Sequence, residues 1–134
     1  MMIRKLLFLI AALPALAIGT KPLDHSGQPQ VGRVSYYAKF FAGRKMANGE
    51  PMRPESNNAA SRTVPLGTTA RVTNLENGRR VVLRVIDRGP YGRNYRKGTI
   101  IDVSRGAARR LGFIRDGLVR VRVEVVRLGG EAAR

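Results

Sequence analysis

Two aspartates stand out in the segment VIDRGPYGRNYRKGTIIDVS, residues 85–104. The chain has 25 Lys and Arg residues but only 9 Asp and Glu residues, so each acid is worth considering for a specific role. A positioned carboxyl group can donate or accept a proton during catalysis. Asp87 and Asp102 are therefore candidates for acid/base chemistry, and Glu50, in the loop sequence ANGEP, is a third.

The strand pattern before Asp87 predicts where its side chain points. In RVVLRVID, residues 80–87, alternate side chains share one face of a strand. Val81, Leu83, Val85 and Asp87 fall on one apolar face, so we expect Asp87 to be the last inward-pointing residue, at the mouth of a barrel. Asp is also common at the first position of a turn such as DRGP. The residues alone leave the catalytic and the turn interpretations equally open.

Asp102 and Glu50 also have two interpretations each. Asp102 lies two residues before a predicted helix cap, where a negative charge interacts favourably with the helix dipole. Alternatively, it holds Asp87 or a substrate in place. Glu50 is either a solvated loop carboxylate or is aimed into a cleft by the turn at Asn48-Gly49.

Other catalytic chemistries lack the residues that they need. The chain has no cysteine and one histidine, His25, which lies in a segment with the composition of a linker. A zinc site, a Cys-His pair and a Ser-His-Asp triad therefore cannot be assembled. No GxxxxGK[ST] sequence is present to cradle a phosphate. We expect no metal and no cofactor, which leaves chemistry that needs only carboxylates, or binding without catalysis.

Tyrosines form a second group of candidates, because tyrosines beside arginines can stack on sugar rings and hydrogen-bond to hydroxyl groups. The four members are Tyr36, Tyr37, Tyr91 and Tyr95. Adjacent residues of a strand face opposite ways, so we expect one of Tyr36 and Tyr37 to point inward and the other to lie at the surface.

Short strands must position these side chains. Residues 32–41, 69–87 and 118–126 have strand patterns, and Asn77-Gly78 suits a type I′ turn within the second of these stretches. Residues 43–68 read mainly as loop, and a loop of that length in a small domain is usually functional. A short helix is predicted from a cap at Ser104 to a left-handed Gly112. Several short strands with one or two short helices indicate a small β-barrel.

The N-terminus indicates export. Residues 1–17 combine Arg4 and Lys5, an apolar run, and the small-residue pattern Ala15-Leu16-Ala17, which together are typical of a signal peptide. We expect a linker at 18–30, the barrel domain at 31–128 and a tail at 129–134. The protein is then periplasmic or secreted, and without cysteine it is not a lipoprotein.

The formal net charge of +16 predicts a polyanionic partner. Nucleic acid, acidic phospholipid and cell-wall polymer all qualify on charge, but export argues against nucleic acid. Acidic phospholipid, cell-wall polymer and other anionic envelope polymers therefore remain as candidate partners. We expect a monomer.

Several motifs resemble the RlpA-like (rare lipoprotein A) family over about residues 31–127. They are GRVSYYAKFFAGRKMANGE, AASRTVPLGTTARVTNLENGRRVVLRVIDRGPY, GTIIDVSRGAARRLGF and GLVRVRVEVV. The resemblance implies a mainly β fold, a six-stranded double-psi β-barrel. It also implies a lytic transglycosylase that cleaves peptidoglycan and leaves 1,6-anhydro sugar ends. One carboxyl group serves that chemistry, and Asp87, in the family's DRGP position, is the candidate.

The resemblance also suggests supporting residues and some departures. Glu50 and Asp102 would support Asp87, and the residues expected to bind substrate are Tyr36, Tyr37, Asn48, Arg88 and Tyr91. The family often has an acid where this chain has Arg53 and a histidine where it has Ser61. A chain reduced in this way could instead be a non-catalytic, expansin-like module that binds peptidoglycan. A protease or protease inhibitor on this barrel lacks the usual paired DTG-like aspartates.

Overall fold

A computed structural model describes residues 28–130. The predicted signal peptide, most of the predicted linker with His25, and residues 131–134 lie outside the described residues. Within the described part, no helix has the length and apolar character needed to cross a bilayer.

Six strands close into a barrel, as predicted. They are β1 (Gln30–Tyr36), β2 (Asn58–Ala60), β3 (Thr69–Asn74), β4 (Arg80–Asp87), β5 (Thr99–Val103) and β6 (Val119–Arg127). The order around the barrel is β1-β5-β2-β4-β3-β6. The pairs β1–β5 and β2–β4 are parallel and the remaining pairs are antiparallel. Closure leaves no open sheet edge, so all six strands can pair on both sides.

The barrel interior is filled by alternate residues of the strands. In β6, Val119, Val121 and Val123 are buried, and the arginines between them are exposed, as the alternating sequence predicts. Leu111 and Phe113 close one side of this core and are both fully buried. Branched aliphatic side chains fit such a pleated, close-packed interior.

A second, smaller apolar cluster lies outside the barrel wall. It consists of Tyr37, Met46, Met52, Ala60 and Ile86, with Phe41 packed against it. Residues of the long loop therefore cover the outer side of β2 and the end of β4. Because the loop buries its own apolar residues there, it is held as part of the fold.

β2 lies in a segment that the sequence pattern assigns to loop. Its three residues, Asn58, Ala59 and Ala60, are all buried. A strand so short carries no detectable alternation, which is why the pattern misses it. β2 pairs with β4 on one side and β5 on the other, and it completes the closed ring.

A bulge in β4 makes the predicted direction of Asp87 wrong. Ala59 pairs with Val85, but Ala60 pairs with Asp87, so Ile86 is an extra residue. Residues paired across two strands point to the same side, and Ala60 belongs to the outer cluster. Asp87 therefore lies on the outer side of the wall rather than in the barrel mouth.

The predicted helix is confirmed. Helix α2 spans Arg105–Leu111, the Ser104 hydroxyl accepts a bond from the Ala107 N–H, and Gly112 has a φ of 79°. A second helix, α1 (Gly92–Arg96), and a 3₁₀ turn at Lys39–Phe41 were not located from the pattern. Both are too short to show helical periodicity.

The hairpin between β3 and β4 is confirmed, but its predicted type I′ turn is wrong. That turn needs positive φ at Asn77, and among the described residues only glycines have positive φ. Residues 75–79 form a longer connection in which Gly78, with a φ of 78°, donates to the Asn74 carbonyl. The Asn77 side chain accepts from Arg79 and donates to Leu111, which ties the hairpin to α2.

The approach of α2 to the long loop yields a stability prediction. A Cβ at Gly106 would lie 2.9 Å from Pro54 O and from the Glu55 backbone. Alanine in a helix is normally favoured over glycine, but here it must push the loop backbone away. We expect Gly106→Ala to lower the free energy of unfolding by about 1–3 kcal/mol in urea denaturation.

A matched change on the exposed side of the same helix is Arg109→Ala, which removes only an exposed ion pair with Glu55. Its expected cost is below about 1 kcal/mol. A gain in stability for Gly106→Ala would contradict the tight contact.

Candidate active site

A cleft of about 370 Å³ opens on the outer side of the wall formed by β1, β5, β2 and β4. Its lining comes from the end of β1, the end of β4 with the DRGPY turn, α1 and β5. The lining residues are Tyr37, Phe41, Asp87, Arg88, Gly89, Pro90, Tyr91, Asn94 and Asp102. Two of the three acids predicted from the sequence thus line one cleft.

Asp87 is held by two hydrogen bonds at the end of β4. The Tyr37 hydroxyl donates to one carboxylate oxygen at 2.7 Å, and the Ala47 N–H donates to the other at 2.9 Å. The Asp87 carbonyl accepts from the Ser61 N–H at 3.1 Å, which fixes the backbone. These three contacts come from the residue after β1, the long loop and the segment after β2, so the position of Asp87 depends on the tertiary fold.

Asp102 lies on β5, across β2 from Asp87. Ala60 is the register partner of both aspartates, which places one carboxyl on each side of the same residue. Burial is the main cause that raises the pKa of Asp102 to about 7. The bond that Ser35 Oγ donates at 3.1 Å lowers this pKa, and the negative charge of Asp87 raises it. Asp102 therefore retains its proton in weakly acidic solution.

Tyr37 connects the apolar cluster to the acids. Burial, and then the hydrogen bond to Asp87, raise the pKa of Tyr37 well above its usual range. The hydroxyl therefore stays protonated and remains a donor to Asp87. The ring packs edge-on against Phe41 at 5.3 Å between centroids, which restricts its orientation.

Tyr36 and Tyr37 face opposite sides of β1, as expected. Tyr36 points to the barrel, packs against Phe113 and donates to the Ile114 carbonyl at 2.9 Å. The expectation that one of the pair is at the surface is wrong, because the loop cluster buries Tyr37. Tyr36 also lines a second, open depression of about 500 Å³, which shares Asn94 with the cleft.

Arg88 lines the cleft but its charge is directed into the loop that follows β2. Its guanidinium donates to the Ser61 carbonyl at 3.1 Å and the Val64 carbonyl at 2.6 Å. The Ser61 hydroxyl accepts from the backbone N–H groups of Thr63 and Val64. Arg88 and Ser61 therefore hold residues 61–64 in place.

Glu50 and Asn48 do not line the cleft. The Glu50 carboxylate accepts from Arg84 at 2.7 Å and from the Asn48 side chain at 2.8 Å. The bond from Arg84 holds the pKa of Glu50 below its usual range. The Asn48 N–H donates to the Ile86 carbonyl, so this turn fastens the loop to β4 beside Asp87.

An aromatic lip with an arginine extends the cleft, and the local sequence did not indicate its arginine. The Arg62 guanidinium lies 4.0 Å from the ring centroid of Tyr95 and 5.1 Å from that of Tyr91. Both rings are exposed. Arg62 comes from the segment after β2 and the tyrosines from α1 and its cap, so no spacing in the sequence signals the contact.

The described residues contain no group of three or more metal-ligating His, Cys, Asp or Glu side chains. The site consists of two carboxyls, a tyrosine hydroxyl and an aromatic lip. Such a set can bind a sugar chain and transfer a proton to or from it.

The chain matches a protein-family model and is similar to several named proteins. A family model described as lytic transglycolase (DPBB_1) matches residues 30–123. The chain is 50% identical over 97 residues to a protein of Nostoc sp. named "Probable endolytic peptidoglycan transglycosylase RlpA", covering 71% of this chain and 25% of that protein. It is 46% identical over 105 residues to the "Endolytic peptidoglycan transglycosylase RlpA" of Pasteurella multocida, covering 78% and 34%. The chain thus spans only about a quarter to a third of these relatives.

Two solved structures confirm the predicted double-psi barrel fold. The Streptomyces papain inhibitor matches with a TM-score of 0.59 and 26% identity, covering 75% of this chain and 96% of that one. The expansin of Clavibacter michiganensis matches with a TM-score of 0.58 and 21% identity, covering 76% and 52%.

The buried carboxyl of Asp102 makes stability depend on pH. The pKa of Asp102 is raised to about 7 in the folded state, whereas that of an unfolded Asp is about 3.9. Between these values only the folded state holds the proton, so the contribution of Asp102 to stability falls as pH rises through this window and is constant above about 7. Asp102→Asn removes this loss. We therefore expect the difference in free energy of unfolding, variant minus wild type, to be about 1–4 kcal/mol more positive at pH 8 than at pH 4.

Urea denaturation of both proteins across this range measures the effect. The exposed Asp116 provides a control, because Asp116→Asn removes a carboxyl outside the buried site. A pH dependence that is the same in the wild type and Asp102→Asn would contradict the raised pKa of Asp102.

Proposed function

The chain belongs to the lytic transglycolase family, and from that membership we propose that it is an endolytic peptidoglycan lytic transglycosylase. It cleaves the β-1,4 bond between N-acetylmuramic acid and N-acetylglucosamine in wall remodelling. The 6-hydroxyl of the muramic acid attacks in place of water and leaves a 1,6-anhydro end. The observation that carries the proposal is the placement of Asp87 and Asp102 on either side of Ala60 in one open cleft.

Asp87 is the acid/base in this proposal. Its carboxyl first protonates the leaving glycosidic oxygen, and the resulting carboxylate then takes the proton of the attacking 6-hydroxyl. The proton count is balanced, and no water is consumed. Tyr37 and Ala47 hold the two carboxylate oxygens in a fixed direction throughout. A positioned proton donor of this kind accounts for about 10²–10⁴ in rate.

Asp102 supports Asp87 electrostatically. With a pKa of about 7, its carboxyl is neutral in weakly acidic solution and adds no negative charge beside Asp87. Above that pH it ionises and adds a second negative charge to the cleft. Glu50 supports the site less directly, since its bond to Arg84 fastens the loop that carries Ala47.

The aromatic lip is the substrate contact that the geometry favours most. Tyr91 and Tyr95 present exposed rings on which sugars can stack, and Arg62 presents a positive charge beside them. Muramic acid carries a lactyl group that ends in a carboxylate or a peptide, and either form brings acidic groups near Arg62. The partner is therefore a peptidoglycan glycan strand, with other anionic envelope polymers as weaker partners.

Location and assembly follow from the sequence pattern. The charged start, apolar run and small-residue site of residues 1–17 support export to the periplasm or the medium. We expect the protein to act as a monomer.

A second function, wall binding without cleavage, is favoured by one observation. Ser61 occupies a position that is often histidine in the family, and here it is fully buried with its hydroxyl bonded to the loop backbone. Its side chain therefore contributes no proton-transfer group to the cleft. Arg53, where the family often has an acid, is exposed. The protein would then resemble expansins in binding polysaccharide without cutting it.

The deciding experiment incubates purified residues 18–134 with glycan strands, with and without stem peptides. We expect 1,6-anhydromuramyl ends by mass spectrometry from the wild type, and a loss of at least about 100-fold in Asp87→Asn. Glu76→Gln is the control, because Glu76 is an exposed acid in the β3–β4 connection. Full activity in Asp87→Asn would remove Asp87 from the mechanism. Sedimentation of both proteins with wall material but no product would establish the binding function.

The tyrosine hydroxyl gives a separate test. Tyr37→Phe keeps the buried ring but removes the bond to Asp87. Since a hydrogen bond to a charged group contributes about 1.5–3 kcal/mol, we expect kcat to fall by about 10-fold or more while KM stays near its wild-type value. A KM that rises about 10-fold while kcat stays unchanged would mean that Tyr37 binds substrate and does not position Asp87.

A further inference from the structure

Five arginines cover the outer face of β1, β6, β3 and β4. We call this surface the arginine wall; its members are Arg33, Arg71, Arg80, Arg120 and Arg122. They occupy the outward positions that alternate with the buried core residues of the same strands. None of them lines the cleft or contacts the two aspartates, so the proposed reaction does not account for them.

Strand register places four of these arginines in two cross-strand groups. Arg33 of β1 is the partner of Arg120 of β6. Thr73 of β3 is the partner of both Arg122 and Arg80, which puts those two arginines in one row. Like charges directly opposite each other, as at Arg33 and Arg120, destabilise a sheet, so folding alone does not favour this pair.

Glu124 forms the ion pairs of the arginine wall among the described residues. Glu124 lies 3.8 Å from Arg71 Nε and 3.7 Å from Arg122 Nε, so a single carboxylate is shared by two guanidinium groups. Arg33, Arg80 and Arg120 make no ion pair within 4 Å among the residues that the structure describes. The wall therefore keeps a surplus of positive charge.

The shape of the wall favours a flat partner. It is the convex outside of a closed barrel, and the cleft and the open depression lie elsewhere. Two apolar side chains stand exposed near the arginines, Val82 at 51% and Val126 at 53%. Guanidinium groups bind phosphate bidentately, and small apolar side chains can enter the boundary of lipid headgroups. A second copy of this chain would present the same charge and be repelled.

The arginine wall lies away from the cleft. β6, which carries two of the five arginines, is three strands from β2 in either direction around the ring, and β2 is the strand between the two cleft aspartates. A surface bound to the arginine wall therefore leaves the cleft on the far side of the barrel.

We propose that the arginine wall docks the barrel on an anionic phospholipid surface, with the cleft facing away from the lipid. The inference goes beyond the proposed lytic function and does not depend on it. Each basic residue near an anionic membrane strengthens binding by about 1 kcal/mol, equivalent to about fivefold. Three arginines without an ion pair then account for roughly a hundredfold in the partition coefficient.

Vesicle sedimentation tests the proposal. Residues 28–130 form a closed barrel with its own core, so this part can be studied without the apolar run of residues 1–17. The vesicles contain phosphatidylglycerol and phosphatidylcholine, and pure phosphatidylcholine vesicles are the neutral reference. We expect binding to the anionic vesicles alone, and weaker binding as salt is added.

Two triple variants with equal loss of charge separate the wall from overall charge. Arg33→Gln, Arg80→Gln and Arg120→Gln together should reduce binding by about 100-fold. The control triple changes three exposed residues outside the arginine wall, Arg96→Gln, Lys97→Gln and Arg115→Gln. It should reduce vesicle binding by less than about fivefold. A third variant with lysine at the three arginine-wall positions should bind much more tightly than the glutamine triple, which confirms that charge and not misfolding explains the loss.

Three results would overturn the proposal. The first is equal loss in the two glutamine triples, which would mean that net charge alone drives binding. The second is binding to neutral vesicles as strong as to anionic ones. The third is wall-dependent binding to soluble polyglutamate with no binding to vesicles, which would assign the wall to an anionic polymer instead.

Discussion

The site depends on the pairing of β2 between β4 and β5. β2 has three residues, yet it closes the ring and sets the spacing of the two aspartates, because Ala60 pairs with both. Ala59 and Ala60 are almost completely buried, and their small side chains leave room for the loop cluster on one side and the core on the other. A larger residue at either position would force these layers apart.

The loop cluster converts an exposed sheet face into a site with two different carboxyl environments. Met46, Met52 and Phe41 exclude water beside Tyr37, and the same loop delivers the Ala47 N–H to Asp87. Burial raises the pKa of Asp102, and the bond that Ser35 donates offsets only part of this rise. The two acids of the cleft therefore have different surroundings, with Asp87 bonded at both oxygens and Asp102 buried.

The excess of positive charge is divided between surfaces with different functions. Arg84, Arg88 and Arg109 are engaged by carbonyls or carboxylates and hold loops in place. Arg62 lies on the aromatic lip, where it is available to a substrate. The arginine wall is the part of the surface where positive charges lie side by side without enough acids to balance them.

The amino-acid sequence by itself determined the features that depend on local patterns. Alternation in β6, the cap at Ser104 and the left-handed Gly112 follow from neighbouring residues, and the structure has all three. The scarcity of acids made Asp87 and Asp102 candidates for acid/base chemistry, and the motifs predicted the barrel fold. These signals are local because side-chain alternation and capping involve residues within a few positions of each other.

Only the tertiary structure decided how the site is assembled. The bulge at Ile86 reversed the predicted side of Asp87, and a bulge is defined by a partner strand 25 residues or so away in the chain, which no local count includes. The same holds for the cover over Tyr37, the tie between Glu50 and Arg84, and the stacking of Arg62 on Tyr95. Each is a contact between segments that meet only when the barrel closes, because closure brings distant strands to within one strand spacing.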